Sequence, residues 1–304
     1  MALPEWALSL LHPWQFMLIS LSFLPATLRA ESLSTILFHP SRLRAAWFGR
    51  FWAFVAPNVR THAEPHVVPL LQGRVSAGVV PRHQDSSVQG GDDSDEDRLH
   101  HPPVSGTVLE IGPGSGMWVS LFTPRFLNPN ASKDTPPITK IYGIEPNVGV
   151  HPLLRAQIAA AGLDTPSPAN NNSTYEILPV GIESLASSGR VAPQSVDCIV
   201  TVLCLCSIPQ PRENIAQLYG YLKPGGRWYV YEHVKCFREQ GWGMRAYQAF
   251  LNLFWPQFIG GCEMCRDTNT YLKEAGPWSN VDVHRMDDEL WCYTMPHIIG
   301  VLTK

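Results

Sequence analysis

The segment Thr107-Val108-Leu109-Glu110-Ile111-Gly112-Pro113-Gly114-Ser115-Gly116 decides the fold of this 304-residue chain. Its first half is an apolar run typical of a buried strand, and that run leads directly into a glycine-rich turn. Glycines let the backbone pass close to a ligand, and the free N–H groups at the start of a following helix can point at that ligand. The segment therefore predicts a nucleotide-cofactor site at the end of a buried strand.

The spacing of the glycines narrows the class of ligand. A dinucleotide-binding turn reads G-x-G-x-x-G and would need a third glycine where this chain has Met117. The pattern here is E-x-G-x-G-x-G, and it begins at Glu110. A carboxylate in that place suits a ligand that carries an ammonium and a sulfonium, whereas it would repel a pyrophosphate. We predict that Glu110, Gly112, Gly114 and Gly116 bind such a ligand.

Strand-like and helix-like runs alternate through the rest of the chain. Besides the strand that enters the glycine turn, apolar runs predict strands at 140–145, 175–180, 195–205, 227–233, 281–285 and 296–303, and helical patterns cover 150–161 and 212–222. Strands that alternate with helices form a parallel sheet with right-handed crossovers and helices on both faces. The sequence therefore predicts an α/β domain over residues 106–304.

Two further acidic residues follow predicted strands. Glu145 ends the second strand, and in a doubly wound sheet that position faces the ribose hydroxyls of the cofactor. Its alternative role is a helix cap or a solvent-exposed carboxylate. Glu183 follows the third strand, where this fold places an adenine contact, and it could equally cap the short helix that comes next. We predict that both residues bind the cofactor.

The order of these segments resembles the class I S-adenosylmethionine (SAM) methyltransferases, and in particular a methyltransferase-like family of small, membrane-anchored thiol methyltransferases. The ubiquinone and menaquinone methyltransferases are similar more distantly. The resemblance covers residues 106–304 and weakly the apolar N-terminus. It is carried by the glycine turn and by Gly143-Ile144-Glu145-Pro146-Asn147, Val196-Asp197-Cys198-Ile199-Val200, Leu203-Cys204-Leu205-Cys206-Ser207, Leu222-Lys223-Pro224-Gly225-Gly226 and Tyr231-Glu232-His233-Val234.

The resemblance implies a Rossmann-like, seven-stranded sheet with a reversed last strand, SAM as the cofactor, and anchoring to the endoplasmic reticulum or to lipid droplets. Pro113, where relatives often have cysteine, and an acidic segment before the domain depart from the family pattern. The acceptor therefore stays open between a thiol and a hydroxyl of a small lipophilic molecule. Two alternatives remain: a membrane-tethered SAM-binding protein without catalysis, and a nicotinamide oxidoreductase.

His233 is the candidate catalytic base because it ends the fifth strand, and its alternative is a structural histidine bonded to backbone. Cys206 is expected to be a packed thiol rather than a nucleophile. Cys262 and Cys265 form a single C-x-x-C without a second pair, which predicts no metal site. The aromatic-rich stretch at 242–258 is expected to wall an apolar acceptor pocket, with plain core or lipid contact as alternatives.

The N-terminal 60 residues are predicted to associate with a membrane. No residue from Trp6 to Leu28 is formally charged, a length that could enter or cross a bilayer. A membrane anchor or hairpin, a cleaved signal peptide and a helix packed on the protein are the open alternatives. Arginines at 29, 42, 44 and 50 keep the rest of the chain on the cytosolic side. A helix at 41–59 would lie on the membrane or cover the catalytic domain, and we expect residues 1–29 to contribute nothing to the chemistry.

Residues 61–105 are predicted to be a linker that is disordered around 82–103, where an acidic run cannot bury enough apolar area. The net charge of −3, from 23 Lys and Arg against 26 Asp and Glu, predicts no binding to nucleic acid. Seven cysteines, several in apolar runs, indicate reduced core thiols rather than a disulfide framework. The oligomeric state is left open.

Overall fold

The fold was examined in a computed structural model, which describes residues 4–81, 98–127, 136–165 and 174–304. Its centre is a seven-stranded sheet in the order β3-β2-β1-β4-β5-β7-β6. Strands β1 to β5 pair in parallel, and β7 lies antiparallel between β5 and β6. The strands are β1 Gly106–Ile111, β2 Ile138–Ile144, β3 Tyr175–Leu178, β4 Val196–Val202, β5 Leu222–His233, β6 Asn280–Arg285 and β7 His297–Thr303. The predicted Rossmann-like fold with a reversed last strand is confirmed.

Helices cover both faces of this sheet. The helices that follow the first strand are α5 Pro124–Leu127, α6 His151–Ala160, α7 Leu185–Ser188, α8 Pro211–Tyr221, α9 Gly241–Asn252, α10 Trp255–Phe258 and α11 Thr268–Glu274. Apolar side chains of α5 and α6 pack on one face, and those of α7, α8 and α11 pack on the other. Strands buried on both faces read as near-continuous apolar runs, which is why the sequence located them well.

Strand β4 ends earlier than its apolar run. The run continues to Leu205, but the strand stops at Val202 because Leu203 has a φ of 54°, in the left-handed region. The buried carboxylate of Glu232 accepts hydrogen bonds from the backbone N–H groups of Cys204 and Leu205, each at 3.1 Å. These bonds satisfy the donors that leave the sheet, so the chain turns away there instead of continuing as a strand.

Within the described residues, four helices precede the sheet: α1 Glu5–Ser22, α2 Leu24–Ala30, α3 Leu33–Phe38 and α4 Pro40–Leu71. The fourth is 32 residues long, although the sequence predicted a helix only over 41–59. It continues through three prolines because Ala63, Val67, Leu70 and Leu71 are buried against the first face of the sheet. Tertiary packing of an apolar face outweighs the lost backbone hydrogen bonds. The helix runs through the predicted boundary at residue 60, and the division into domains stays a prediction.

Helices α1 and α2 form the one stretch of the described chain that is long and apolar enough to cross a membrane, over Glu5–Ala30 with a hydropathy of 1.4. Helix α1 ends at Ser22 and α2 begins at Leu24, with a proline as its second residue. Its polar groups bond to the part of the chain that carries the sheet: Ser9 Oγ donates to the carbonyl of Cys292 at 3.0 Å, and Ser20 Oγ donates to that of Phe258. In this structure α1 therefore packs on the protein.

Part of the segment predicted to be disordered around 82–103 is folded, and this part of the prediction is wrong. Residues 82–97 lie outside the described residues, but His101 is 7 % exposed and its Nε2 lies 2.7 Å from Asp282 Oδ2. The backbone N–H groups of His100 and His101 donate to the carbonyl of Gly73. These contacts connect the segment before β1 with the end of α4 and with β6. The local amino-acid composition does not predict them.

Candidate functional site

A cavity of about 1500 Å³ opens where β1, β2, β4 and β5 end. Pockets that hold one drug-sized ligand have volumes of about 300–1000 Å³, so this cavity has room for a cofactor and a second molecule together. The carboxyl ends of parallel strands, at the point where the strand order reverses, are where open α/β sheets bind ligands. Here that point lies between β1, which the glycine turn follows, and β4, which Leu203 follows.

The three predicted glycines of the turn serve two different purposes. All three have positive φ values, of 63° at Gly112, 57° at Gly114 and 90° at Gly116. A Cβ at Gly112 would lie 2.9 Å from the Cβ of Cys204, and one at Gly116 would lie 2.9 Å from the Cβ of Gln157. A Cβ at Gly114 would meet no atom within 4 Å, and Gly114 lines the cavity. Gly112 and Gly116 therefore permit close packing of the protein, whereas Gly114 leaves space for a ligand.

Glu145 stands directly against this turn. Its Oε2 accepts a hydrogen bond from the N–H of Gly114 at 2.9 Å, and its Oε1 accepts from the N–H of Asn147 at 2.8 Å. Burial raises the pKa of the Glu145 carboxyl, which these two bonds partly oppose. Each carboxylate oxygen keeps a free lone pair, and Glu145 lines the cavity. This is the position from which a carboxylate can accept hydrogen bonds from two neighbouring ligand hydroxyls.

The structure places Glu183 on the cavity wall and Glu110 behind it. Glu183 is exposed beside Gly181, just after β3. Glu110 is 3 % exposed, is not among the residues that line the cavity, and accepts a hydrogen bond from the hydroxyl of Tyr175. Burial raises the pKa of Glu110 to about 7. Glu110 is thus placed to fix the strand that carries the glycine turn, and its predicted direct contact with the cofactor stays a prediction.

His233 lies in the cavity among sulfur atoms rather than beside backbone. Its ring is 5 % exposed, its Nε2 lies 3.1 Å from the Sγ of Cys262, and its Nδ1 has no hydrogen-bond partner among the described residues. Cys206 completes a buried group of three side chains whose nitrogen and sulfur atoms all lie within 4.8 Å of one another. The sequence predicts no metal site, because these residues come from three separate segments and share no spacing pattern.

Aromatic and apolar side chains from α1, α4 and α10 form the opposite wall of the cavity. Phe16 of α1 stacks on Trp255 of α10 with ring centroids 5.7 Å apart, and both line the cavity with Phe48 and Trp52 of α4. Only the end of the predicted aromatic wall at 242–258 reaches the cavity, since Trp242 is 85 % exposed and points away. Helix α1 thus supplies part of the cavity wall, and the expectation that residues 1–29 contribute nothing to the chemistry stays a prediction.

Arg60 of α4 contacts the loop after the glycine turn, and the sequence did not predict this contact. Its guanidinium donates to the carbonyl of Met117 at 2.7 Å and to Ser120 Oγ at 2.9 Å, and it pairs with Glu64 one turn along the helix. Met117 follows the glycine turn directly, so α4 is bonded to the loop that would hold the cofactor. An arginine within a predicted surface helix carries no signal for such a contact.

Comparisons with known proteins agree with this geometry. The family described as "Methyltransferase domain" matches residues 96–267. The chain is 27 % identical to thiol S-methyltransferase TMT1B of Rattus norvegicus over 199 residues, which are 65 % of this chain and 70 % of that protein. It is 26 % identical to thiol S-methyltransferase TMT1A of Homo sapiens over 199 residues and the same shares of each chain. An O-methyltransferase family protein from Burkholderia thailandensis has a similar fold, with a TM-score of 0.50, 13 % identity, and coverage of 97 % of this chain and 71 % of that one.

Proposed function

Since this chain belongs to the methyltransferase domain family and its cofactor is SAM, we propose that it methylates the thiol of a small lipophilic acceptor held in the same cavity. The observation that carries the proposal is the continuity of this cavity from the glycine turn to the aromatic wall of α1, α4 and α10. The similar proteins from Rattus norvegicus and Homo sapiens are both named thiol S-methyltransferases, which supports a thiol over a hydroxyl.

The residues at the strand ends fit the cofactor. The open space at Gly114 admits a ligand against the backbone, Glu145 can accept from the two ribose hydroxyls, and Glu183 can accept from the adenine amino group. Gly112 and Gly116 shape the turn by close packing, and Glu110 holds its strand. When bound, SAM supplies a methyl group on a sulfonium, a reactive electrophile with an excellent leaving group.

The rest of the site has to align the acceptor and keep water out. The aromatic wall gives an apolar acceptor a dry surface, and excluding water strengthens the electrostatic contacts inside the cavity. A thiol with an ordinary pKa near 8.5 is partly ionised at neutral pH, so it needs less help from a base than a phenol or an alcohol does. His233 is the predicted base, but the thiols of Cys206 and Cys262 beside its ring compete with an acceptor for its nitrogen atoms.

An acceptor panel tests the proposal directly. Full-length protein in detergent micelles is incubated with isotopically labelled SAM and matched thiols, phenols and amines of similar size and hydrophobicity, and methylated products are read by mass spectrometry. We expect labelled thioethers from the lipophilic thiols, with a lower rate for phenols. Tight SAM binding without any product would support the rival function, a SAM-binding protein that does not catalyse. Preferential methylation of phenols would contradict the thiol assignment.

We propose in addition that the protein lies on a membrane surface through α1 to α3 and the outer face of α9. Large apolar residues are exposed on both α1 and α9, and the two helices meet there. The ring of Trp14 of α1 lies within 6.3 Å of the rings of Phe250 and Phe254. The exposed residues of this patch are Trp6, Leu11, Leu18, Leu33, Leu37, Phe38, Trp242, Phe250, Leu253 and Phe254. An exposed apolar patch of this extent is typical of an interaction site, and arginines after α1 favour the cytosolic leaflet of the endoplasmic reticulum or the surface of a lipid droplet.

Vesicle sedimentation tests this orientation. Leu18→Glu and Leu253→Glu each place a charge in the patch and should reduce co-sedimentation with phospholipid vesicles, while SAM affinity stays unchanged. Leu99→Glu is the control, because Leu99 is 56 % exposed but precedes β1 at the opposite end of the sheet. A full-length protein that remains wholly in the supernatant would contradict the membrane proposal.

A further inference from the structure

Three sulfur and nitrogen ligands converge in the wall of the acceptor cavity. Cys206 lies in the loop after β4, His233 is the last residue of β5, and Cys262 follows α10. All three side chains are buried, all three line the cavity, and their Sγ and imidazole nitrogen atoms lie within 4.8 Å of one another. The Nε2 of His233 lies 3.1 Å from the Sγ of Cys262.

We propose that Cys206, His233 and Cys262 form a binding site for a thiophilic divalent cation of the zinc class. Two thiolates and one neutral imidazole are a ligand set that Zn²⁺ prefers, and sites with three protein ligands leave the fourth tetrahedral position open. The ion would displace one proton from each thiol. The resulting charge of the site is zero, which makes burial far less costly than burial of an isolated ion.

Only small changes in the distances between the ligand atoms are required. In tetrahedral zinc sites Zn–S bonds of about 2.3 Å and Zn–N bonds of about 2.0 Å place the ligand atoms about 3.5–3.8 Å apart. The three atoms here are at most 4.8 Å apart, and the Nε2–Sγ pair at 3.1 Å would lengthen by about 0.4 Å. Rotation of the two cysteine side chains about their Cα–Cβ bonds covers a difference of about 1 Å without moving the backbone.

The surroundings hold the ligands in place and suit negatively charged sulfur. The indole Nε1 of Trp255 donates to the Sγ of Cys262 at 3.2 Å, and the hydroxyl of Ser207 lies 3.5 Å from the Sγ of Cys206. The guanidinium of Arg266 donates to the carbonyls of Leu205 and Ile208, one on each side of Cys206 in sequence. Groups of this kind, which orient the ligands of a metal, are an integral part of metal sites in proteins.

The fourth, open coordination position gives the metal site a role in the reaction. This role rests on the proposed function. A thiol acceptor can occupy the fourth position as a thiolate, with its proton released to water. Formation of the new S–CH₃ bond then accompanies cleavage of the sulfonium S–CH₃ bond, and the thioether product is a weaker ligand because it is neutral. His233 serves in this assignment as a ligand and not as the base.

Cobalt titration of the chelator-treated, full-length protein tests the site without reference to activity. Co²⁺ alone should bind one per chain with the thiolate charge-transfer absorption and the intense visible bands of a tetrahedral site, and Zn²⁺ should abolish both. Cys206→Ser and Cys262→Ser should each weaken Co²⁺ binding at least about 100-fold, whereas Cys198→Ser and Cys236→Ser, which alter buried thiols outside the group, should leave it unchanged.

SAM binding by calorimetry shows whether each variant is folded, so a misfolded variant is recognised. For a wild-type chain, Zn²⁺ should also raise the melting temperature, and it should not do so in the Cys206→Ser, Cys262→Ser double variant. The absence of a thiolate band in the wild type, or an unchanged band in the folded double variant, would overturn the metal site. Because these readouts use no acceptor, they remain valid if the thiol panel fails.

Discussion

The assignment of the glycine turn to the cofactor depends on whether the open space beside Gly114 is the space that the cofactor occupies. Gly114→Leu places a side chain where no protein atom lies within 4 Å, in the wall of the cavity. Gly112 and Gly116 cannot serve for this test, because a Cβ at either position would press on a neighbouring side chain at 2.9 Å. The leucine at 114 therefore competes with the cofactor and not with the fold.

Gly189 offers a matched control. It caps α7 with a φ of 62°, close to the 57° of Gly114, and its Cβ would also meet nothing within 4 Å. It does not line the cavity. A non-glycine residue in the left-handed region costs about 1–2 kcal/mol. Gly114→Leu and Gly189→Leu should thus lose the same stability, equivalent to a melting temperature lowered by about 2–8 °C for a domain of this size.

The two variants should differ only in cofactor binding. We expect Gly114→Leu to raise the Kd of SAM at least about 100-fold in calorimetry, because four added carbon atoms fill space that the ligand needs. Gly114→Ala should have an intermediate effect, and Gly189→Leu should bind SAM like the wild type. Normal SAM affinity in Gly114→Leu, or an equal loss in Gly189→Leu, would refute the assignment of this turn to the cofactor.

Two further predictions concern the buried carboxyl and the aromatic wall. Because burial raises the pKa of Glu110 from 4.5 to about 7, its contribution to stability is fully present below pH 4.5 and is lost as the pH rises through 7, by about 3 kcal/mol in total. Glu110→Gln should remove this dependence in thermal melts between those pH values, and an unchanged slope would mean that Glu110 is not the titrating group. Phe16→Ala should raise the acceptor KM with SAM affinity unchanged, whereas Phe250→Ala, which alters an exposed ring outside the cavity, should leave both unchanged; equal effects would show that α1 does not wall the acceptor.

The parts of the fold that follow from local patterns were predictable. Strands buried on both faces give continuous apolar runs, so β1 and β4 could be located from the sequence within a few residues. The glycine turn and Glu145 lie at strand ends, and in a doubly wound sheet the carboxyl ends of parallel strands meet. Membership of the chain in a SAM methyltransferase family was predictable for the same reason, because its motifs are short, ordered and local.

The tertiary structure alone decided what meets across the cavity. Helix α4 continues past residue 60 because the side chains of Val67 and Leu70 are buried against the sheet. The free energy of this packing is not part of any helix-propensity scale. Arg60 donates to the residue after the glycine turn, α1 lines the cavity, and Cys206, His233 and Cys262 converge, although their segments are separated in sequence by whole helices and strands. Local patterns record which face of an element is buried, but they do not record its partner. The partner is decided by packing between distant segments, and the aromatic wall of the cavity is made of such contacts.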